Sequence, residues 1–463
     1  MSTTPQHPDD GFDEAWAAPG EPRAHYTALM DAFASVDLSL LRAALGFAMS
    51  EQGVTFGDHR FEVCPVPRLL TADEAARLAA GLEQRVRALN AFVADCYGER
   101  RIVAAGHFPE WIIDSSEGYE PALAGRWPGG LSAIGVAGLD LIRTAEGELQ
   151  VLEDNVRAPS GFAYAICAAR ALRAALPFDA PAHDDGADAL LEGLAGAVRE
   201  ALPGCPDPAI TVITDGKRNL AHFEHRLAAS HLGARLLCVD ELVRDGERLL
   251  YRDERGGEHP IDVVYRRCDE NRLFDDRGDP TLVGARLLEP WLAGSIAVVN
   301  GFGTGVADDK LAHAYVEAMV RFYCDEEPLL RSVPTLDLTR DENLGRLLAS
   351  PASHVVKPRD GQGGGGVVVC AHASPRDVRR CLAAVRERPD AFIAQPLVSL
   401  STVPTVVGAD LVPRHVDLRP FIFSAPTWTR AIPCGLTRVA WGEGALVVNS
   451  SQNGGGKVTW ALR

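Results

Sequence analysis

The chain has 463 residues and a formal net charge of −17. That balance argues against sequence-independent nucleic-acid binding, which depends on Lys and Arg neutralising phosphates, and against anionic membrane surfaces. Apolar content of 46% and charged content of 24% suit a globular protein of two or three domains.

No run approaches the ~18 apolar residues that a membrane helix requires. The ten cysteines stand singly, with no Cys-x-x-Cys pair, so neither a zinc knuckle nor a redox motif is predicted. Free thiols without a framework, and an amino terminus lacking a basic start and an apolar core, are the expectation for a cytoplasmic protein.

In chain order, residues 1–22 are polar and proline-rich, and a loose tail is expected. Helical spacing begins near His25 and continues through Leu29, Phe33, Leu41 and Leu45. Residues 61–70 read as extended, punctuated by Pro65 and Pro67. Thr71 and Glu74 then form a capping box for a long helix, whose stripe Leu78, Leu82, Val86, Leu89 and Val93 is core.

Residues 139–143 and 149–153 read as two short strands joined through Ala145-Glu146-Gly147-Glu148, a hairpin signal. A two-residue Glu146-Gly147 loop sets Asp140 opposite Glu153. Residues two apart share a strand face, so Asn155 joins them. Two carboxylates directly opposed repel. A divalent cation such as Mg²⁺ would relieve that, since it prefers carboxylate, amide and phosphate oxygens. An acidic hairpin that is simply solvated remains the alternative. A helix over 162–176 follows, then a small, polar stretch at 180–186 that marks a boundary or exposed loop.

From Ala209 the texture becomes alternating strand and helix, with strands near 209–214, 234–239, 262–266 and 295–300. This predicts an open α/β domain with a largely parallel sheet. Asn300–Lys310, NGFGTGVADDK, follows a strand and precedes a helix, but Val306 occupies the third glycine position of a dinucleotide fingerprint. Asp308 and Asp309 at the helix start would repel a pyrophosphate.

The carboxy-terminal third places Lys357 on a strand, followed by Asp360, Gly361, Gln362, Gly363, Gly364, Gly365 and Gly366, and then by another strand. A Walker loop has its lysine after the glycines and leads into a helix; here the order is reversed. Glycines admit phosphate oxygens close to the backbone N–H groups, and a lysine pairs with phosphate as a point charge. A glycine-rich surface hairpin is the bland alternative. Residues 391–397 form a further strand containing Gln395, and on 415–423 Asp417 and Arg419 share one face. The blocks 434–438 and 449–457 are rich in groups able to donate to phosphate.

Glu153-Asp154-Asn155-Val156-Arg157 resembles the Glu-x-Asn-x-Arg end of the ATP-grasp metal hairpin, and strand–Lys–Gly loop–strand is the ATP-grasp nucleotide arrangement. The hairpin precedes the nucleotide elements here, so the chain looks like a member of the circularly permuted ATP-grasp family, type 2. QRVRALNAF, EDNVRAPSG, GTGVADDK, RHVDLRPF, GLTRVA and VVNSSQ carry the likeness from about Leu41 to Leu462. Two departures stand out: an uninterrupted glycine run at 363–366, and Lys457-Val458-Thr459-Trp460 in place of Lys-Asp-Thr-Trp.

The resemblance implies an α/β chain with α+β elements: a circularly permuted ATP-grasp fold with an inserted open α/β domain. Expected units are a tail at 1–22, a helical region with the metal hairpin at 23–185, a central α/β domain at 186–345, and a nucleotide-binding segment at 346–463. The activity expected is ATP- and Mg²⁺-dependent ligation of a carboxylate to an amine or thiol through an acyl phosphate, acting on small molecules or short peptides. Asp140, Glu153 and Asn155 are the expected metal ligands. Lys357, Gly361, Gly363, Gly364, Gly365, Gly366, Gln395 and Arg419 are expected at the nucleotide. Arg157 and Arg438 are expected to stabilise the transferring phosphoryl group, since guanidinium matches phosphate oxygens. A phosphotransferase that stops at a phosphorylated product, and a catalytically silent scaffold, are the alternatives.

Overall fold

A computed structural model describes residues 11–268, 272–361, 365–442 and 455–463. Among these residues the largest sheet has nine strands. Along its path run Arg331–Ser332, Leu149–Asn155, Val136–Arg143, Asp410–Ala425, Trp428–Val439, Gly455–Leu462 and Val63–Leu70. Thr402–Val407 pairs beside Asp410–Ala425, and His183–Asp184 beside Gly455–Leu462. Strands from the first and last thirds of the chain are thus interleaved in one sheet.

Side-chain alternation explains how this sheet is covered on both faces. Leu139 and Leu141 of Val136–Arg143, with Leu418 and Ile422 of Asp410–Ala425, belong to the core that the long helix Ala72–Tyr97 also enters. Phe421, Phe423, Ile432 and Leu436 point into the opposite core, shared with Phe162–Ala175 and Ala187–Arg199. The long helix begins at the expected capping box, with Thr71 and Glu74 bonded reciprocally. Among the described residues no single helix is long and apolar enough to cross a membrane.

The central region holds the predicted parallel sheet. Its strands are ordered Arg235–Leu237, Ile210–Thr214, Val263–Arg267 and Ala297–Val299, and every pair is parallel. A small antiparallel sheet of Leu336–Asp337, Phe392–Pro396, His354–Pro358 and Val368–Val369 carries Lys357. The stretch expected to be one nucleotide-binding unit, 346–463, therefore feeds two sheets. Its first part forms most of the small sheet, and from Thr402 onward it joins the large one.

Where a loose tail is expected, residues 11–22 pack against the body. Asp13 and Glu14 are buried, and Glu14 accepts from Arg68 Nη2 at 2.6 Å and Nε at 2.8 Å. The polarity that suggested a tail includes a carboxylate with a buried partner, which composition cannot distinguish from a solvated one.

Candidate functional site

The hairpin strands are Val136–Arg143 and Leu149–Asn155, and Asp140 does lie opposite Glu153. The turn is one residue longer than the Glu146-Gly147 loop expected. Gly147 N–H bonds to Thr144 O at 3.0 Å, Thr144 N–H to Glu148 O at 2.9 Å, and Gly147 has φ +87°, the geometry of a type I turn closed by a left-handed glycine. Arg143 therefore faces Leu149, and an irregularity between Asp140 and Leu141 in the ladder shifts the register back by one. That extra residue puts Asp140, Glu153 and Asn155 at one end of the hairpin.

These residues meet unequal surroundings. Glu153 Oε1 lies 2.8 Å from Lys310 Nζ. Asn155 Nδ2 is buried without a hydrogen-bond partner among the described residues. Asp154, between them in sequence, faces the other way. It is buried and bonded to Arg85 at 2.6 and 2.7 Å and to His313 Nδ1 at 2.6 Å. Burial opposes its ionisation, but Arg85 outweighs that and holds the carboxyl well below the usual range. Asp154 anchors the hairpin to the long helix.

Asp140 is committed to arginines. Arg419 Nε and Nη2 donate to its two oxygens at 2.6 and 2.8 Å, and Arg438 Nη2 lies 2.8 Å from Oδ2. Burial raises its pKa, yet the two guanidiniums pull it down to about 2. Arg438 is also bonded to Asp417, Nε to Oδ1 at 2.8 Å. Arg419 further donates to Ser160 O at 3.1 Å. Arg419 and Arg438, expected at the nucleotide and the phosphoryl group, thus stand in a buried ion cluster with Asp140. Pairing Asp410–Ala425 with Val136–Arg143 creates that cluster, and a contact between strands so distant in sequence leaves no local signal.

Lys357 reaches the same place from the small sheet. A narrow neck lined by Glu153, Asp308, Lys310, Lys357, Ile393 and Gln395 joins the hairpin to that sheet. Burial lowers the Lys357 pKa and Lys310 repels it further, while Glu153 acts in the opposite sense. Lys357 makes no hydrogen bond or ion pair to another described residue. Gln395 donates to Thr335 Oγ1 at 2.9 Å and Leu152 O at 3.4 Å, and its Oε1 is buried without a partner among the described residues. Gly361 is at the neck through its carbonyl, which accepts from Lys310 Nζ. Gly365 and Gly366 follow in a turn; Gly363 and Gly364, like residues 449–454, lie outside the described residues.

The segment that failed as a dinucleotide fingerprint supplies the bridge. Asp308 accepts from Val156 N at 2.7 Å and from Arg157 Nε at 2.5 Å. Asp309 binds Arg359 Nε at 2.8 and 2.9 Å, and Lys310 joins Glu153 to Gly361. The two aspartates neutralise arginines from the hairpin and the lysine loop. Two acids and a lysine in a row after a glycine turn were the available signal; their partners were not. Arg157, its pKa raised by Asp308, lines a cleft of about 300 Å³ with Ser115, Glu117, Asp308, Lys310 and Asp360.

Asn300 fixes the hairpin to the parallel sheet. Its Oδ1 accepts from Gly135 N at 2.8 Å and Val136 N at 2.7 Å. Its Nδ2 donates to Val136 O, Val156 O and Arg157 O at 2.6, 2.7 and 3.1 Å.

A buried lysine on a small antiparallel sheet, facing oxygen ligands on a hairpin of a larger sheet, defines an ATP-grasp architecture. The circularly permuted ATP-grasp type 2 profile matches residues 67–440, and the chain belongs to that family. It is 39% identical to an uncharacterized Mycobacterium leprae protein over 97% of this chain and 82% of that one. It is also 39% identical to a Frankia casuarinae protein provisionally named a glutamate–cysteine ligase, over 98% of this chain but 54% of that longer protein. Among solved structures, a glutathione synthetase-like effector from Globodera pallida in its apo form superposes with a TM-score of 0.57. The identity is 13%, and the match covers 92% of this chain and 97% of that one, a likeness of fold.

Proposed function

We propose that the chain is an ATP- and Mg²⁺-dependent ligase that joins a carboxylate to an amine or thiol through an acyl phosphate, releasing ADP and phosphate. The observation that carries this reading is the neck in which Lys357, without a hydrogen bond or ion pair to another described residue, faces Glu153 of the permuted hairpin. The family, and the ligase name of the longer Frankia relative, support the reaction class.

A hard divalent cation prefers carboxylate, amide and phosphate oxygens. Glu153 presents carboxylate oxygens, with Oε1 shared with Lys310 at 2.8 Å, and Asn155 presents an amide oxygen, its Nδ2 having no partner among the described residues, so both fit. Asp140, with both oxygens held by Arg419 and Arg438, acts in this reading chiefly by fixing those guanidiniums beside the hairpin. Mg²⁺, when bound, would neutralise charge on the triphosphate.

The chain's own residues do the positioning. Lys357 pairs with phosphate oxygens as a point charge. The 361–366 loop offers backbone N–H groups, and Lys310 holds its first carbonyl toward Glu153. The unpartnered Gln395 Oε1 accepts from the nucleotide. Arg157, steadied by Asp308, faces the 300 Å³ cleft, where a carboxylate attacking the γ-phosphate would develop charge on oxygens that a guanidinium matches. No nucleophilic side chain is needed, because such chemistry is positioning and electrostatics.

The test is ADP release across amino acids, polyamines and short peptides, with products identified by mass. A ligase consumes the acceptor and releases phosphate stoichiometrically. A phosphorylated product that persists with acceptor present would replace this reading with a phosphotransferase.

A further inference from the structure

In the large sheet, Gly455–Leu462 runs parallel to Val63–Leu70, and the register sets Lys457 beside Cys64. Both side chains are wholly buried. Lys457 Nζ lies 2.8 Å from Cys64 Sγ, and it also donates to Val66 O at 2.8 Å and Pro404 O at 2.7 Å. Cys64 Sγ accepts from Val406 N at 3.4 Å as well. Among the described residues no carboxylate pairs with Lys457.

A buried ammonium without a counter-charge is costly, and burial pushes Lys457 toward its neutral amine. The adjacent thiol lies within hydrogen-bond distance of it. An amine and a thiol fixed face to face and wholly buried are thereby held as reactants.

We propose that Lys457 and Cys64 form a redox-dependent covalent cross-link in which one oxygen atom bridges Nζ and Sγ. The oxidant is dioxygen. The S–H bond and one N–H bond of the neutral amine break, and S–O and N–O bonds form to one atom of dioxygen. The two hydrogens leave with the other atom as water. Sulfur and nitrogen each lose two electrons, and dioxygen takes up all four. Two equivalents of a dithiol return thiol, amine and water. Separation selects this product: one oxygen spans atoms 2.8 Å apart with little motion. A direct S–N bond would require the strands to close by about 1 Å in a close-packed interior.

The link would clamp two neighbouring strands of the large sheet. Lys457 pairs across the ladder with Thr437, the residue before Arg438, which holds Asp140.

Protein purified without oxygen under dithiothreitol is compared with the same protein aerated after the reductant is removed. Peptide mapping of the aerated sample should reveal a species joining Cys64 to Lys457. Its mass should be the sum of the two peptides plus one oxygen less two hydrogens, and it should disappear on adding dithiothreitol. The unfolding temperature should rise on aeration and fall on reduction. Cys64→Ser, which keeps an acceptor for Lys457, should show neither change, and the wild-type map decides the matter should that variant fail to fold. Three outcomes overturn the proposal: Cys64 and Lys457 unmodified while the more exposed Cys205 and Cys238 oxidise, Cys64 carried to sulfinic acid with Lys457 free, or a linked mass without the added oxygen.

Discussion

Lys310 Nζ lies 2.8 Å from Glu153 Oε1 and also donates to the Gly361 carbonyl, so one side chain ties the permuted hairpin to the lysine loop. Lys310→Met should leave the unfolding midpoint nearly unchanged, because its partners lie at the cleft rather than in the core. ATP turnover should fall by about tenfold or more, since a charge-assisted contact is worth about 1.5–3 kcal/mol. Turnover equal to the parent's would show that the bridge is incidental.

Glu153→Gln keeps shape and removes the charge of a carboxylate proposed to face Mg²⁺. The variant should fold, as judged by circular dichroism, and lose Mg²⁺-dependent ATP turnover. A folded variant with normal turnover rules out the hairpin as the metal site.

Lys357→Ala removes a cation that makes no hydrogen bond or ion pair to another described residue. Little stability should be lost. Affinity for a non-hydrolysable ATP analogue should drop roughly 10- to 150-fold, by the strength of a charged hydrogen bond. Calorimetric titration measures it, and unchanged affinity means that the ammonium points away from the phosphates.

Glu14 gives a pH-dependent stability prediction. Burial disfavours its charge, but Arg68 and Arg143 hold its pKa down to about 2, below the ~4.3 of an unfolded Glu. A depressed folded pKa contributes stability that is complete above the unfolded value and disappears as pH falls through the folded one. Glu14→Gln should cost about 3–5 kcal/mol near pH 7, as expected when a buried pair loses one partner. The gap between the two urea midpoints should narrow from pH 5 toward pH 2. A gap independent of pH in that window contradicts the assignment.

Hydrogen exchange tests the joint site. Adding MgATP should protect both the hairpin over 138–157 and the loop over 357–366, since ligand binding orders low-stability segments. ATP with EDTA should protect the hairpin less. Protection confined to the carboxy-terminal loop would leave the hairpin outside the nucleotide site.

What the sequence could reveal divides by distance along the chain. Local features were legible: the Thr71 capping box, the parallel strands of the central region, and the lysine placed before its glycines. Asp140 was matched to Glu153 from a loop one residue too short, and the ladder irregularity beside Asp140 compensated for the missing residue. The roles of Arg419 and Arg438 were not legible. Alternation shows that Arg419 shares a strand face with Asp417, while the identity of the opposing group depends on a strand more than two hundred residues earlier. Asp308, Asp309 and Lys310 were conspicuous as a motif, but their partners come from two remote segments, the hairpin end and the lysine loop.

The interleaving of the large sheet also constrains how the molecule can be made. Gly455–Leu462 lies between Trp428–Val439 and Val63–Leu70, so residues 63–70 leave the ribosome nearly four hundred residues before their neighbour exists. At a synthesis rate of about 5–20 residues per second, that wait is roughly twenty to eighty seconds. Throughout it, an apolar strand has an open hydrogen-bonding edge, the kind of edge that recruits other chains. Nascent chains should accordingly depend on a holding chaperone until residues 455–462 have emerged, and slowing the ribosome should increase aggregation rather than relieve it.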